Sequence, residues 1–188
     1  TLLLGDQSAL KGVLIAPLPG SDRLYYILTT STRLRHHVVD MALNSGYGGV
    51  LLKNQGDQTR TTESLAGTLH CNKEDYWIIN RKWNEADPFA NDTIHFQVRL
   101  LTAGGLGPPA QQTFHFGPRY VTLYDHPTFS PSGSLFSYSS LSSNVFLFDF
   151  DRYTGTLSFR DSIQFENQPD SPSPEKVYST EFSPGESK

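Results

Sequence analysis

The chain has 188 residues, 37% hydrophobic and 18% charged, enough apolar material for a core and too little charge for a disordered tail or a coiled coil. Its formal charge of −4 argues against a nucleic-acid binder, which needs a basic face to displace counterions from phosphate. No apolar run reaches the length of roughly 20 residues that a membrane helix requires.

In chain order, the opening segment from Thr1 has no basic or apolar leader region, which fits a removed signal or an excerpt of a longer chain. Helix signals are scarce. Arg33 to Leu43 has some helical look but carries Val38-Val39 and ends in Asn44-Ser45-Gly46. Elsewhere short β-branched and aromatic runs alternate with Gly, Pro, Asn and Ser clusters, the pattern of antiparallel strands joined by turns.

A turn followed by an aromatic strand recurs. It begins at Pro17-Leu18-Pro19-Gly20, returns at Leu69-His70-Cys71-Asn72 and Phe129-Ser130-Pro131-Ser132, and starts again at Phe182-Ser183-Pro184-Gly185. Pro19, Cys71, Pro131 and Pro184 align at offsets of 52, 60 and 53 residues. Between copies lies a strand, a Gly-containing turn and another strand: Val38–Leu51, Phe96–Leu106 and Val145–Ser158. Each period therefore holds four strands, which is how a β-propeller blade reads in sequence. The expected fold is all-β: a partial β-propeller of about three four-stranded antiparallel blades, near 10–53, 61–116 and 120–165, plus the start of another from 177. One blade cannot cover both of its faces, so neighbouring blades supply the core.

Several stretches resemble one family in collinear order. They are Ile15–Ser21 with Leu24–Thr30, Val38–Val50, Glu63–Ala66 with Asp75–Ile79, and Leu147–Ser158 followed by Glu181–Gly185. Together they look like the WD40-like or lactonase-like β-propeller domains of Bacteroidetes secreted surface proteins, which accompany gliding-motility and type IX secretion modules. The chain departs from that pattern at the Cys71-Asn72 turn and in the Pro108-Pro109 and Asp170–Pro174 loops. The resemblance implies an exported, extracellular or outer-membrane surface protein. It implies no catalytic set and no cofactor.

Candidate chemistry is sparse. Cys71 is the single cysteine, which excludes an internal disulfide. It reads as a half-buried filler diverging from His70. Asp149 and Asp151, two apart on a strand, share a face and are weak candidates for a hard cation. The opposing expectation is that Asp151 caps the Thr154-Gly155 turn while Asp149 bonds backbone groups between blades. Phe146, Phe148 and Phe150 lie on the other face as core. Six histidines show no ligand spacing, and neither a nucleophile elbow nor a phosphate loop is present. The Ser-rich stretch from Phe136 to Asn144 reads as a solvent-facing strand.

The aromatic surplus is the feature that suits binding, to a sugar ring or a protein partner. Tyr76, Trp83 and Tyr124 are the binding candidates, with Trp83 foremost because it stands in the polar run Arg81–Glu85. Thr93 and Ser162, in Asp-Thr-Ile and Asp-Ser-Ile, are candidate O-glycosylation sites, and Asn91 heads an N-x-T pattern. The leading functional expectation is a non-catalytic binding or scaffold module. Its partners would be other protein chains, the remainder of a longer propeller, or a glycan. The alternative is a lactonase-like or glycan-cleaving propeller enzyme whose acids converge in a central channel.

Overall fold

A computed structural model describes residues 2–83, 93–116, 125–140, 144–165 and 176–186. Its strands are β1 (Val13–Pro17), β2 (Leu24–Thr30), β3 (Arg33–Asp40), β4 (Gly49–Leu69), β5 (Tyr76–Lys82), β6 (Thr93–Thr102), β7 (Gly105–Leu106), β8 (Ala110–His115), β9 (His126–Phe129), β10 (Leu135–Ser139), β11 (Asn144–Asp151) and β12 (Thr156–Gln164). A 3-10 turn at Asn44–Gly46 is the helical element among the described residues. No described helix is long and apolar enough to cross a membrane. Arg33–Asp40, which has a helical look in sequence, is a strand, as its β-branched and aromatic pairing with β2 favours.

The pairing is antiparallel throughout. The first sheet is β1-β2-β3 with the first half of β4, through Arg60. The second is the other half of β4, from Thr61, with β5, β6 and β8, and β7 pairs the end of β6. The third runs β12-β11-β10-β9. A single strand of 21 residues thus belongs to two sheets. It continues past Lys53, where the sequence pattern ends the first unit, and makes the first two sheets one covalent ribbon.

The aligned turns share one closing hydrogen bond, with a left-handed fourth residue in three of them (Lys73, Gly133 and Glu186) and a left-handed third residue, Gly20, in the first. Leu18, His70 and Ser130 each donate their backbone N–H across the turn, to the carbonyls of Leu24, Asp75 and Leu135. The N–H groups of Ser21, Lys73, Gly133 and Glu186 return to the carbonyls of Leu18, His70, Ser130 and Ser183. The residue after each anchor is Pro19, Cys71, Pro131 or Pro184. The turn at the far side of each unit repeats as well. Asp40, Thr102 and Asp151 end their strands, and each side-chain oxygen accepts the N–H two residues on, from Ala42, Gly104 and Tyr153 at 2.9, 3.1 and 2.8 Å.

This register makes Tyr25, Tyr76 and Phe136 equivalent, and likewise Ile27, Ile78 and Tyr138. Ile78 packs with Ala16, Tyr26, Leu28, Leu34 and Val38 of the first sheet. Phe136 and Tyr138 pack with Trp77, Ile79, Phe96 and Val98 of the second. In both cases the equivalent face is covered by the preceding sheet. Phe96 sits edge-on to Phe136, Tyr138 and Phe148 at centroid distances of 5.4, 5.1 and 5.6 Å, the arrangement that ring quadrupoles favour. Phe146, Phe148 and Phe150 are buried in this layer.

The Ser-rich strand is a correction. Ser137, Ser139 and Ser140 are buried, and the segment 176–186 meets the third sheet at Ser137. Ser137 Oγ meets Thr180 Oγ1 at 2.9 Å, and Glu186 accepts both the N–H and the hydroxyl of Ser132. A small hydroxyl side chain here makes room for chain, not for water.

Lys73 adopts φ 65°, where the equivalent Gly133 has φ 73°. A non-glycine residue in this left-handed region costs about 1 kcal/mol. Lys73→Gly is expected to raise the unfolding free energy by about 0.5–1 kcal/mol in urea titration. Gly133→Ala is expected to lower it by about 2 kcal/mol or more, since its new methyl runs into the Thr68 hydroxyl and Arg152.

Candidate functional site

The middle of β4, where it passes between sheets, carries most of the chain's concentrated polar chemistry. Pairing with β5 shifts there: Thr61 faces Lys82 and Leu65 faces Asn80, so three residues of β4 stand against one of β5. Such bulges re-aim side chains. The backbone is held on all sides. Thr61 N–H donates to Thr32 O at 3.1 Å, Trp83 N–H to Arg60 O at 3.0 Å, and the Thr30 hydroxyl to Glu63 O at 2.6 Å.

One set of β4 side chains turns inward. Thr62 Oγ1 donates to Asp125 Oδ2 at 2.8 Å, and the Ser64 hydroxyl donates to the Asp125 carbonyl. Tyr138 Oη lies 3.3 Å from the same carboxylate and accepts from Arg81 Nη1 at 3.1 Å. Asp125 is 1% exposed, and its Oδ1 has no hydrogen-bond partner among the described residues. Burial pushes its carboxyl up to about 6 against the pull of Arg81 and its hydroxyl donors. Burial also pushes the Tyr138 phenol well up. The network joins the second sheet to the third, and its closure against water makes it a structural clamp.

The other set opens outward. Ser31, Thr32, Arg60, Thr61, Thr62, Glu63 and Trp83 line a recess of about 190 Å³. Thr61 is buried, Glu63 and Trp83 are half-buried. Thr61 Oγ1 and Glu63 Oε2 are shielded from solvent and have no hydrogen-bond partner among the described residues. Burial, and then the charge of Asp6, hold the Glu63 carboxyl above its usual range. The surface the recess presents is mainly apolar, with the Trp83 indole as one wall.

The sequence candidates divide. Trp83 lines this recess. Tyr76 does not: it is half-buried and packs on the core between the first two sheets. Tyr124 lies outside the described residues, as do Asn91 and Asp92. Asp149 and Asp151 are not brought together. Asp149 is tied to Arg160 Nη1 at 2.8 Å rather than to backbone groups, and Asp151 takes the Tyr153 N–H and the Thr154 hydroxyl, holding its turn. Those two donors keep the Asp151 carboxyl below its usual range. Asp40 is likewise engaged, by Ala42 N–H and by Arg23 at 3.6 Å. Among the described residues no three acids, histidines or cysteines gather as metal ligands. Thr93 starts β6, half-buried, with its hydroxyl 2.9 Å from His115 Nδ1, and Ser162 is half-buried on β12.

Cys71 departs from expectation. It is exposed in a tight turn, where Sγ comes within 3.7 Å of His70 Nδ1. That nitrogen accepts the Asn72 N–H at 3.1 Å, so the ring's proton sits on Nε2, facing Tyr153 O at 3.2 Å. A second histidine is similarly fixed. Buried His37 accepts the Asn54 N–H on Nδ1 and donates from Nε2 to Thr29 Oγ1, which passes its own proton to Leu4 O. Burial, with His36 and Arg35 nearby, lowers its pKa.

No protein-family model matches the chain, and no curated protein matches it. Among solved structures it is similar to a functionally unknown protein from Desulfotomaculum acetoxidans, at 14% identity over 95% of this chain and 80% of that one, with a TM-score of 0.31. A likeness that distant decides neither architecture nor activity.

Asp125 gives a pH signature. Its carboxyl sits higher in the folded chain than in the unfolded one, so the unfolded chain loses that proton first and stability falls as pH rises from about 4 to about 6. The size is about 3 kcal/mol. Urea unfolding at pH 4 and pH 7 is expected to show that Asp125→Asn lacks this part of the fall that the unaltered chain shows.

Proposed function

We propose that the chain is part of a β-propeller and acts as a non-catalytic binding and scaffold module of an exported bacterial surface protein, serving type IX secretion, gliding or adhesion. The observation that carries the reading is the repeated turn code, which sets three four-stranded sheets face to face in order. Its second support is the open part of the first sheet's outer face, which lies beyond Thr29 and His37, the two residues buried beside Leu4. Val13 and Ile15 are 59% and 61% exposed, and Tyr25, Ile27 and Val39 lie beside them. The equivalent residues of the next two sheets are covered by a preceding sheet. A further sheet of the same type, from the remainder of a longer propeller, completes the layer.

Binding suits the site better than catalysis does. Asp40, Asp149 and Asp151, which a channel enzyme would need free and convergent, each hold a turn or an arginine. The Trp83 recess offers an apolar wall on a backbone clamped from three sides.

Two results follow. Ile78→Ser is expected to cost about 4 kcal/mol in this chain and Ile27→Ser about 1 kcal/mol, read by urea unfolding, because Ile27's cover is missing here. Equal costs would remove the argument from the uncovered face. Proteinase added to intact cells of the producing bacterium is expected to digest the protein while a cytoplasmic marker survives, and protection until lysis would end the surface assignment.

A further inference from the structure

We propose that the hairpin tip between β3 and β4 is a lipid anchor, by which Met41, Leu43 and Tyr47 enter the headgroup region of a bilayer without spanning it. The inference goes beyond the module reading and holds whichever sheet covers Val13 and Ile15.

The tip is an insertion into the repeat. Eight residues, 41–48, separate β3 from β4, against two between β6 and β7 and four between β11 and β12 at the equivalent turns. The other two units close without them, so the apolar side chains of the insertion are not needed for the fold. Residues 41–47 are all exposed, with Met41, Leu43 and Tyr47 at 41, 39 and 89%. In the strand that follows, Val50, Leu51 and Leu52 are 47, 55 and 41% exposed. Three consecutive strand residues do not share one face, so this collar is apolar on both sides. A flat protein partner covers one side, whereas a bilayer takes a tip from all round. The backbone also meets the condition that lipid imposes, which is that N–H groups find partners other than water. Outside any ladder, the N–H groups of Met41, Ala42, Leu43, Gly46, Tyr47 and Gly48 all have acceptors, and Asn44 Nδ2 donates to Gly48 O at 2.7 Å. Charge selects the headgroup. From Met41 to Gly56 the chain has no acid and one base, Lys53, although it carries 19 acids in all. Asp40 is 5% exposed, and Asp22 and Arg23 of the neighbouring turn are opposite in sign. An uncharged apolar tip on a chain of net charge −4 suits a zwitterionic surface and gains nothing from anionic lipid. Tyrosine, apolar in body and polar at its end, is a residue type that settles at that depth.

The test is flotation of the chain with phosphatidylcholine vesicles. A lipid-bound fraction is expected at about 1 mM lipid, and it is expected to persist in molar salt because apolar contact supplies it. Leu43→Ser combined with Tyr47→Ser is expected to weaken binding about tenfold or more. Both side chains are exposed, and an unchanged urea midpoint shows that the fold survives. Tyr178→Ser, at a tyrosine 59% exposed outside the hairpin, is expected to leave binding as it was. Tyr47→Trp reports depth: the emission it adds to that of the two native tryptophans is expected to shift to shorter wavelength with vesicles and to be quenched by bromine on the acyl chains. No bound fraction, binding lost in salt, an undiminished double variant, an equal loss with Tyr178→Ser, or an unquenched tip overturns the proposal. None of these results touches the module reading, which exposure on cells and the Ile78 and Ile27 variants test separately.

Discussion

Apolar burial between successive sheets is the constraint that organises this chain. A four-stranded sheet with aliphatic and aromatic residues on both faces cannot be stable alone. Tyr26, Leu28 and Val38 of the first sheet close over Ile78, and Trp77 and Ile79 of the second close over Phe136 and Tyr138. The third sheet ends differently. Its equivalent face carries Ser137 and Ser139 and is covered by the segment around Thr180. Stacking therefore has a direction. Each sheet covers the next one's second strand, and the turns that fix strand register decide which residues reach that face.

The polar chemistry is placed by the same constraint. β4 must leave one sheet and enter the next, and the crossing at Thr61–Leu65 is bulged. Side chains there cannot all join a ladder. Thr62 and Ser64 meet Asp125, clamping the second sheet to the third, while Thr61 and Glu63 open beside Trp83. One irregular stretch supplies both the internal tie and the recess. Lys11 ties the leading end in the same region: its ammonium reaches Pro127 O and Thr128 Oγ1, and its carbonyl accepts from Leu65.

Much of this was legible in sequence because turns are local. The alignment of Pro19, Cys71, Pro131 and Pro184 marks positions with the same hydrogen bonds, and Phe146, Phe148 and Phe150 alternate as buried residues must. Long-range facts were not legible. The sequence pattern ends one unit at 53 and starts the next at 61, yet β4 runs through the interval because both halves find partners. The serines of β10 read as solvated because the residue that covers Ser137 is Thr180, far along the chain. Cys71 reads as a filler on an extended strand, whereas the turn around Lys73 folds it back toward His70. Trp83 stood out as an aromatic in a polar run, but Glu63 did not. The bulge that sets Thr61 against Lys82 brings the two together, and a register shift of this kind is not readable from strand spacing.

The central claim is that one geometric step carries each sheet to the next. A crystal structure of the 188-residue chain measures it directly, by superposing β2 and β3 with the β1 turn onto β5 and β6, and those onto β10 and β11. The account predicts two nearly identical rotations of about 45–90° about a shared axis, with Leu18, His70 and Ser130 superposed. Two unrelated rotations, or sheets folded over one another as a closed sandwich, would contradict it.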